Sequence, residues 1–350
     1  MPPLNRMAKS FLGSRKLGTA LASLTLKCLD IGAREGITRD LRPLAPAVAA
    51  FGFEPDPEEC ARLNRLAAAN PAPWRSLKFL PVALGGGHGA RTLNLYRMRG
   101  GSSLFEANLA LLEQFDRAGN FQLEGTVPLQ TMPLDAAAEQ FEFADARFLK
   151  LDIQGAELEV LQSAPRLLAE AVIALRVEVE FLPIYKGQPL QHEVDTFLRA
   201  RGFVPMGIVE PRHWRRTVRR RFSFAGGSRP FSRGQLAHAD FIYFRDPQTI
   251  NEETPGGMQR LLAAGFLALN YQCVDHAAAI LTRAAVRRHL KETWGVEVER
   301  ELAVVSRALA RRHLWRQCLA AGQIFGETAV LALGSLVGRA PNVLGPWRNR

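Results

Sequence analysis

Cysteine is scarce in this chain. Cys28, Cys60, Cys273 and Cys318 are scattered through 350 residues, and no two stand at zinc-finger spacing. That excludes a disulfide framework, which belongs to short secreted chains, and fits a reducing cytosol. Cys273 and His276 make a lone C-x-x-H that reads as packing, and no metal site is expected. No uninterrupted apolar run reaches the ~18 residues of a membrane span. Lys9, Arg15 and Lys16 precede an apolar stretch from Leu17 to Leu26, but it runs into Asp30-Ile31-Gly32 without a cleavage-like break. No signal peptide is expected. No internal repeat is convincing, and G-x-G-x-x-G, the dinucleotide fingerprint, does not occur where the first strand ends. Acids are also in deficit, 34 against 45 basic side chains, for a net charge of +11. The excess favours phosphates, nucleotide-linked substrates, nucleic acid or an anionic lipid surface as partners. It is concentrated in Arg212, Arg215, Arg216, Arg219, Arg220 and Arg221.

What is present is an ordinary globular composition, 47% apolar and 23% charged, in a chain long enough for one large α/β domain and an appendage. Residues 1–24 read as a basic amphipathic helix. Residues 25–247 alternate short apolar runs with helical stretches, the pattern of a mostly parallel sheet flanked by helices. Strands are expected at 26–31, 49–54, 77–84, 147–152, 172–180, 203–209 and 238–244, with helices at 57–69, 156–169 and 190–201. Two further strands, at 91–97 and 126–132, form an insertion. Residues 248–350 read as a helical extension, with Leu290, Trp294, Val298, Leu302, Val305 and Leu309 at helical spacing.

Two segments share one grammar: an apolar run, an acid, then glycine. They are Leu29-Asp30-Ile31-Gly32-Ala33-Arg34-Glu35-Gly36 and Phe148-Leu149-Lys150-Leu151-Asp152-Ile153-Gln154-Gly155-Ala156-Glu157. Ligands of open α/β sheets bind beyond the carboxyl ends of the strands, so these acids are placed at a site. Asp30 would repel a pyrophosphate but accept hydrogen bonds from an ammonium, which suits S-adenosylmethionine. Glu54, 18 positions after Gly36, is placed for the ribose hydroxyls of that cofactor. Val82, Ala83 and Leu84 are placed near its adenine. The alternative makes Asp30 and Glu54 simple helix caps.

The ordered set resembles the FkbM family of S-adenosylmethionine-dependent methyltransferases. The likeness rests on the two segments above, on Phe53-Glu54-Pro55, Pro81-Val82-Ala83-Leu84-Gly85 and Gly101-Ser102-Ser103-Leu104, and on Val177-Glu178-Val179-Glu180-Phe181 through Tyr185 and Gly187-Gln188-Pro189-Leu190. It covers about residues 26–245. It implies an α/β fold, a class I methyltransferase Rossmann-like sheet with flanking helices, to which the C-terminal α-helical extension is added. It also implies O-methylation, often of sugar or polyketide hydroxyls. The cofactor set is then Asp30, Gly32, Ala33, Arg34, Gly36, Glu54, Pro55, Ala83, Leu84, Ser102 and Ser103. Arg34 departs from the small residue or Asn usual in such loops. It either clamps the methionine carboxylate or faces solvent.

An alcohol is a weak nucleophile until its proton is drawn away, so a general base is useful. Asp152 is the first candidate, Glu157 the second and Glu180 the third. Alternatively Asp152 orients the cofactor or holds a metal, and Glu157 caps a helix. The arginine cluster, with Trp214 and Phe222 interleaved, is a phosphate-binding lid, a nucleic-acid anchor or a solvated loop. The expected function is O-methylation of a carbohydrate or glycoconjugate hydroxyl in the cytoplasm, the acceptor a small molecule or glycan that carries phosphate if the cluster binds it. Peripheral membrane contact is compatible with the charge. A nucleic-acid methyltransferase is the runner-up, weakened by the absence of an Asn-Pro-Pro-Tyr-like motif. The third reading is a non-catalytic cofactor-binding or scaffold protein of a polysaccharide pathway. A nicotinamide dehydrogenase fails on glycine spacing.

Overall fold

Short buried runs rich in Leu, Val, Ile and Phe cannot sit at a surface, and here they pair side by side into one sheet covered on both faces. The computed structural model describes residues 15–70, 73–216 and 234–336. Its main sheet contains β1 (Leu26–Ile31), β2 (Val48–Phe53), β3 (Ser76–Leu80), β7 (Phe148–Leu151), β8 (Ala174–Glu180), β9 (Phe203–Trp214) and β10 (Gln235–Arg245), in the order β3-β2-β1-β7-β8-β10-β9. The first five are mutually parallel, and β10 is antiparallel to both its neighbours. The chain first works outward from β1 to β3 and then returns to β7 on the other side of β1. That reversal is the switch point where open sheets bind ligands.

The expected strand over 77–84 divides at Pro81. A proline has no N–H for a ladder, and after it β4 (Ala83–Leu84) leaves for a small second sheet with β5 (Gly89–Tyr96) and β6 (Leu123–Met132), in the order β4-β6-β5. The helix expected over 156–169 also divides, into α5 (Glu157–Gln162) and α6 (Pro165–Glu170), because Pro165 opens a new first turn. Helix α2 (Pro57–Ala69) starts where its cap predicts, with Asp56 accepting from Glu58 N and Glu59 N. Helix α7 (Gln191–Arg199) follows β8 and packs on the face that carries Leu175, Val177 and Val179.

The opposite face is covered by α1 (Arg15–Ser23) and α8 (Gly257–Asn270). Leu17 and Leu21 of α1 and Leu261, Leu262 and Phe266 of α8 share one apolar cluster with Cys28, Val48, Phe148, Ile242 and Phe244 of the sheet. The core is therefore continuous across residue 248. Helices α9 (Val274–Leu281), α10 (Ala284–Trp294) and α11 (Val298–Leu336) extend that layer. No helix among the described residues is long and apolar enough to cross a membrane. Residues 1–14, Arg219, Arg220, Arg221, Phe222 and the basic tail lie outside the described residues.

Candidate active site

Strand register brings the acids of the two glycine-bearing segments to one rim. Asp30 pairs with Gly52 on one side and Lys150 on the other, and Ile31 with Phe53 and Leu151. Glu54 and Asp152 each follow the last residue of their strand, so Asp30, Glu54 and Asp152 gather at the β1/β7 switch point. The loops behind them are tied by backbone bonds from Ala33 N to Phe53 O (3.0 Å) and from Asp152 N to Ile31 O (3.0 Å). Gly32 has φ +94°, and a Cβ there would lie 2.0 Å from the Asp152 carbonyl oxygen. Glycine is needed at that position for both reasons. Gly36 also has a positive φ, +90°, but open space beside it.

The half of the rim expected to hold the cofactor is built from β1, β2 and β4. Asp30 is 2% exposed. Its Oδ2 accepts from Thr38 N at 2.7 Å, while Oδ1 accepts no hydrogen bond among the described residues and has the Lys150 ammonium 3.4 Å away. Burial pushes this carboxyl above its ordinary range, against the Lys150 charge and the Thr38 N–H. Glu54 is buried and accepts from Asp56 N at 3.0 Å. Burial raises it too, opposed by that N–H and by the charge of Arg34. Arg34 thus stands near Glu54 and, at the start of α2, near Glu59. Pro55 is half-buried behind Glu54. Ala33 packs with Cys60, Leu63 and Phe79, and Ala83 and Leu84 are buried in β4. Ser102 Oγ accepts from Tyr96 N at 3.3 Å, and Ser103 Oγ donates to Gln154 O at 2.6 Å. The donor set suits S-adenosylmethionine. An unsatisfied carboxylate oxygen on Asp30 matches its α-ammonium, and Glu54 matches a ribose diol.

The other half is a polar face inside the sheet. Along β8 the alternation Ala174-Leu175-Arg176-Val177-Glu178-Val179-Glu180 sends the aliphatics one way and Arg176, Glu178 and Glu180 the other. Lys150 Nζ lies 3.2 Å from Asp152 Oδ2. Burial works against the lysine's charge, but Asp30 and Asp152 outweigh it and keep it protonated. Burial likewise works to raise Asp152, but the Lys150 charge first, with the neighbouring Glu178 and the Gln154 amide, brings its carboxyl below the usual range. Its side chain is 36% exposed, so it is both ionised and reachable. Glu157 is buried, with Oε1 accepting from Ile153 N (2.7 Å) and Oε2 from Gly155 N (2.9 Å). Burial lifts it to about 7. Glu180 is 3% exposed and raised well above the carboxylate range, by burial and then by the charge of Glu157.

Lys150, Gln154 and Glu178, which the sequence showed only as members of motifs, and His238, which it did not single out, join the rim beside Asp152. His238 Nδ1 lies 2.9 Å from Glu178 Oε1, and burial followed by Arg212 lowers the imidazole to about 4. The sequence also did not show that buried Arg176 pairs with Asp40 and Asp240 and, at its outer side, with exposed Glu210. The available signal was period-two polarity in strands otherwise fully apolar, in β8 and in His238-Ala239-Asp240 of β10. Of the arginine cluster, Arg212, Arg215 and Arg216 are described. Arg212 pairs with Glu210 at 2.9 Å, and Arg216 lies over the Phe115 ring at 5.1 Å. Arg117 lies over Trp214 at 5.2 Å.

Comparison with known proteins bears on this arrangement. A family model described as the methyltransferase FkbM domain matches residues 30–205, half of the chain. No curated protein matches. Among solved structures, methyltransferase FkbM from Methylobacillus flagellatus KT is 13% identical, with 63% of this chain and 47% of that chain covered and a TM-score of 0.36. This chain thus spans about half of that protein's length. The magnesium protoporphyrin IX methyltransferase (ChlM) from Synechocystis PCC 6803 with bound SAM is 13% identical, with coverage of 70% and 85% and a TM-score of 0.31. The match from Asp30 to Pro205 takes in both acid–glycine segments and the whole rim from β1 to β8. With half of its length matched in this way, the chain belongs to the FkbM methyltransferase family.

Proposed function

We propose that the protein methylates a hydroxyl group, that of a carbohydrate or glycoconjugate. The observation that carries this reading is Asp152: a carboxylate held ionised by Lys150, yet partly exposed, at the rim between the cofactor half and the polar face. Nitrogen and sulfur nucleophiles need less help, whereas an alcohol needs a base within hydrogen-bond reach. Glu157 supports the loop through both its oxygens, and Glu180 lies deeper, so Asp152 is the favoured base of the three candidates.

In this reading Asp30 holds the cofactor's α-ammonium and Glu54 its ribose hydroxyls. Bound there, S-adenosylmethionine supplies an electrophilic methyl group on a sulfonium. The chain's own residues do the rest. Asp152 orients the acceptor hydroxyl and takes its proton. Arg212, Arg215, Arg216 and Arg117, near the β9 end of that face, support an acceptor that bears phosphate. The free cysteines support a reducing, cytoplasmic setting.

Calorimetric titration with S-adenosylmethionine and with its demethylated product should show binding of both. Comparison of surface glycans and lipids from cells with and without the gene should then show one species lighter by a single CH2. Binding without any such change favours the scaffold reading, and a change confined to nucleic acid favours the runner-up. Salt should raise the apparent Michaelis constant steeply if the acceptor is anionic.

A further inference from the structure

Gln154 has left-handed backbone, with φ +57°, which a residue with a side chain adopts only when its surroundings impose it. Three contacts do so. Ser103 Oγ donates to its carbonyl at 2.6 Å, and the N–H groups of Ile153 and Gly155 on either side are held by the two oxygens of Glu157. The conformation places the amide between two acids. Nε2 donates to Asp152 Oδ1 at 2.9 Å and to Glu178 Oε2 at 2.5 Å, which sets the amide's orientation, and Oε1 lies 2.9 Å from the Tyr185 hydroxyl, which is also 2.7 Å from Gly101 O. The other oxygen of Glu178, Oε1, lies 2.9 Å from His238 Nδ1.

We propose that Gln154 is a positioning residue for methyl transfer, yoking Asp152 and Glu178 into one proton-sharing pair whose outlet to solvent is His238. The proposal rests on the reading of Asp152 as the acceptor of the hydroxyl proton. One amide nitrogen within hydrogen-bond reach of Asp152 Oδ1 and Glu178 Oε2 sets the two carboxyls side by side, and two such neighbours do not both stay ionised, so they share a proton. Glu178 faces Glu180 on its own strand, Asp152 on the loop after β7, and Asp240 and His238 on β10. Burial first, then the charges of Asp152 and Glu180, push it well above the usual range, so the shared proton rests on Glu178 and Asp152 stays ready to accept. Lys150 faces Asp152 from β7, and Arg212 and Arg117 face His238.

The protons balance as follows. The acceptor's O–H bond breaks and its proton goes to Asp152; the freed electron pair would form the O–CH3 bond with the methyl group that a bound S-adenosylmethionine would supply, the electrons of the methyl–sulfur bond remaining on sulfur. The pair then holds two protons, that of Asp152 directed at Glu178 Oε2 and that of Glu178 on Oε1. Glu178 passes the latter from Oε1 to Nδ1 of the neutral His238 tautomer that carries its hydrogen on Nε2, and the Nε2 proton leaves to water. The histidine side chain is 26% exposed, enough for that exit.

Infrared spectroscopy of the full chain near pH 7, with no acceptor present, tests the pair directly. The wild type should show a protonated-carboxyl C=O stretch that disappears in Glu178→Gln. The band should shift in Gln154→Leu, which keeps the bulk and removes the amide, and in His238→Asn, which keeps the fold if the first variant does not. A wild-type spectrum without a band that Glu178→Gln removes overturns the pair. A band unmoved in a folded Gln154→Leu overturns the role of Gln154, and one unmoved in His238→Asn overturns the outlet. If all three behave as expected while Asp152→Asn still turns over normally, the proton-acceptor reading fails and the pair survives, so the two failures are distinct.

Discussion

Lys150 and Asp152, two residues apart at the end of β7, turn to the same side of the sheet and meet at 3.2 Å. The same ammonium stands 3.4 Å from Asp30 on β1, so one cation joins the acid at the end of β1 to the acid after β7. Lys150→Met should cost roughly 3–5 kcal/mol near pH 7, because a buried partner is removed and its acids remain. The sign of the pH dependence follows from Asp152, whose carboxyl is depressed in the folded state. Its stabilisation is present above the unfolded pKa and lost as pH falls through the folded one. The deficit of the variant should therefore shrink in acid. Urea unfolding near pH 7 and in acid checks this, and an equal deficit at both would discount the ion pair.

Asp152→Asn should leave titration of S-adenosylmethionine nearly unchanged, since Asp30 and Glu54 remain in place. Turnover should fall by ~10²–10⁴-fold, the usual worth of a general base. Wild-type turnover in that variant would remove Asp152 from the role.

Glu157 makes the opposite pH statement. Its carboxyl is raised to about 7 in the fold, against an ordinary value of 4.5. The folded state then binds the extra proton between those values, and stability from this group falls as pH rises through that window, by roughly 3 kcal/mol at most. Glu157→Gln should flatten this part of the stability-against-pH curve relative to wild type. Parallel curves would show that Glu157 is not what lends the slope.

The glycines at 32 and 36 share a positive φ but not their surroundings. Gly32→Ala drives a Cβ into the Asp152 carbonyl, so a loss of more than about 4 kcal/mol, or no folded protein, is expected. Gly36→Ala meets nothing within 4 Å and should cost only the ~1–2 kcal/mol of left-handed backbone. Thermal melts of the two variants measure the difference, and similar losses would contradict the packing described at Gly32.

Most strands were legible because a buried parallel strand must be apolar along its length, and the runs ending at Ile31, Phe53 and Leu151 lie where their sequence places them. Pro81 and Pro165 were visible too, but their effect was not. A missing N–H shows where a ladder or helix breaks without showing where the chain goes next, and only the packing sends Ala83 and Leu84 to a second sheet. Lys150, Gln154, Glu178 and His238 did not show their roles for a related reason. Each is an unremarkable polar residue in its own segment, and they gain meaning only when β7, β8 and β10 bring them within hydrogen-bond distance.

The sequence by itself determined the alternating order of strands and helices, the acids at the strand ends with their glycines, and through them the family. These are local properties, set by hydrophobic periodicity and by residues whose backbone demands are their own. Tertiary structure alone decided that one lysine is shared by two strands, that Gln154 is bent into a left-handed turn to hold two carboxyls, and that α8 belongs to the same core as the sheet. Charge sharing and proton sharing depend on distances of about 3 Å between residues far apart in the chain, and no spacing within a single segment encodes them.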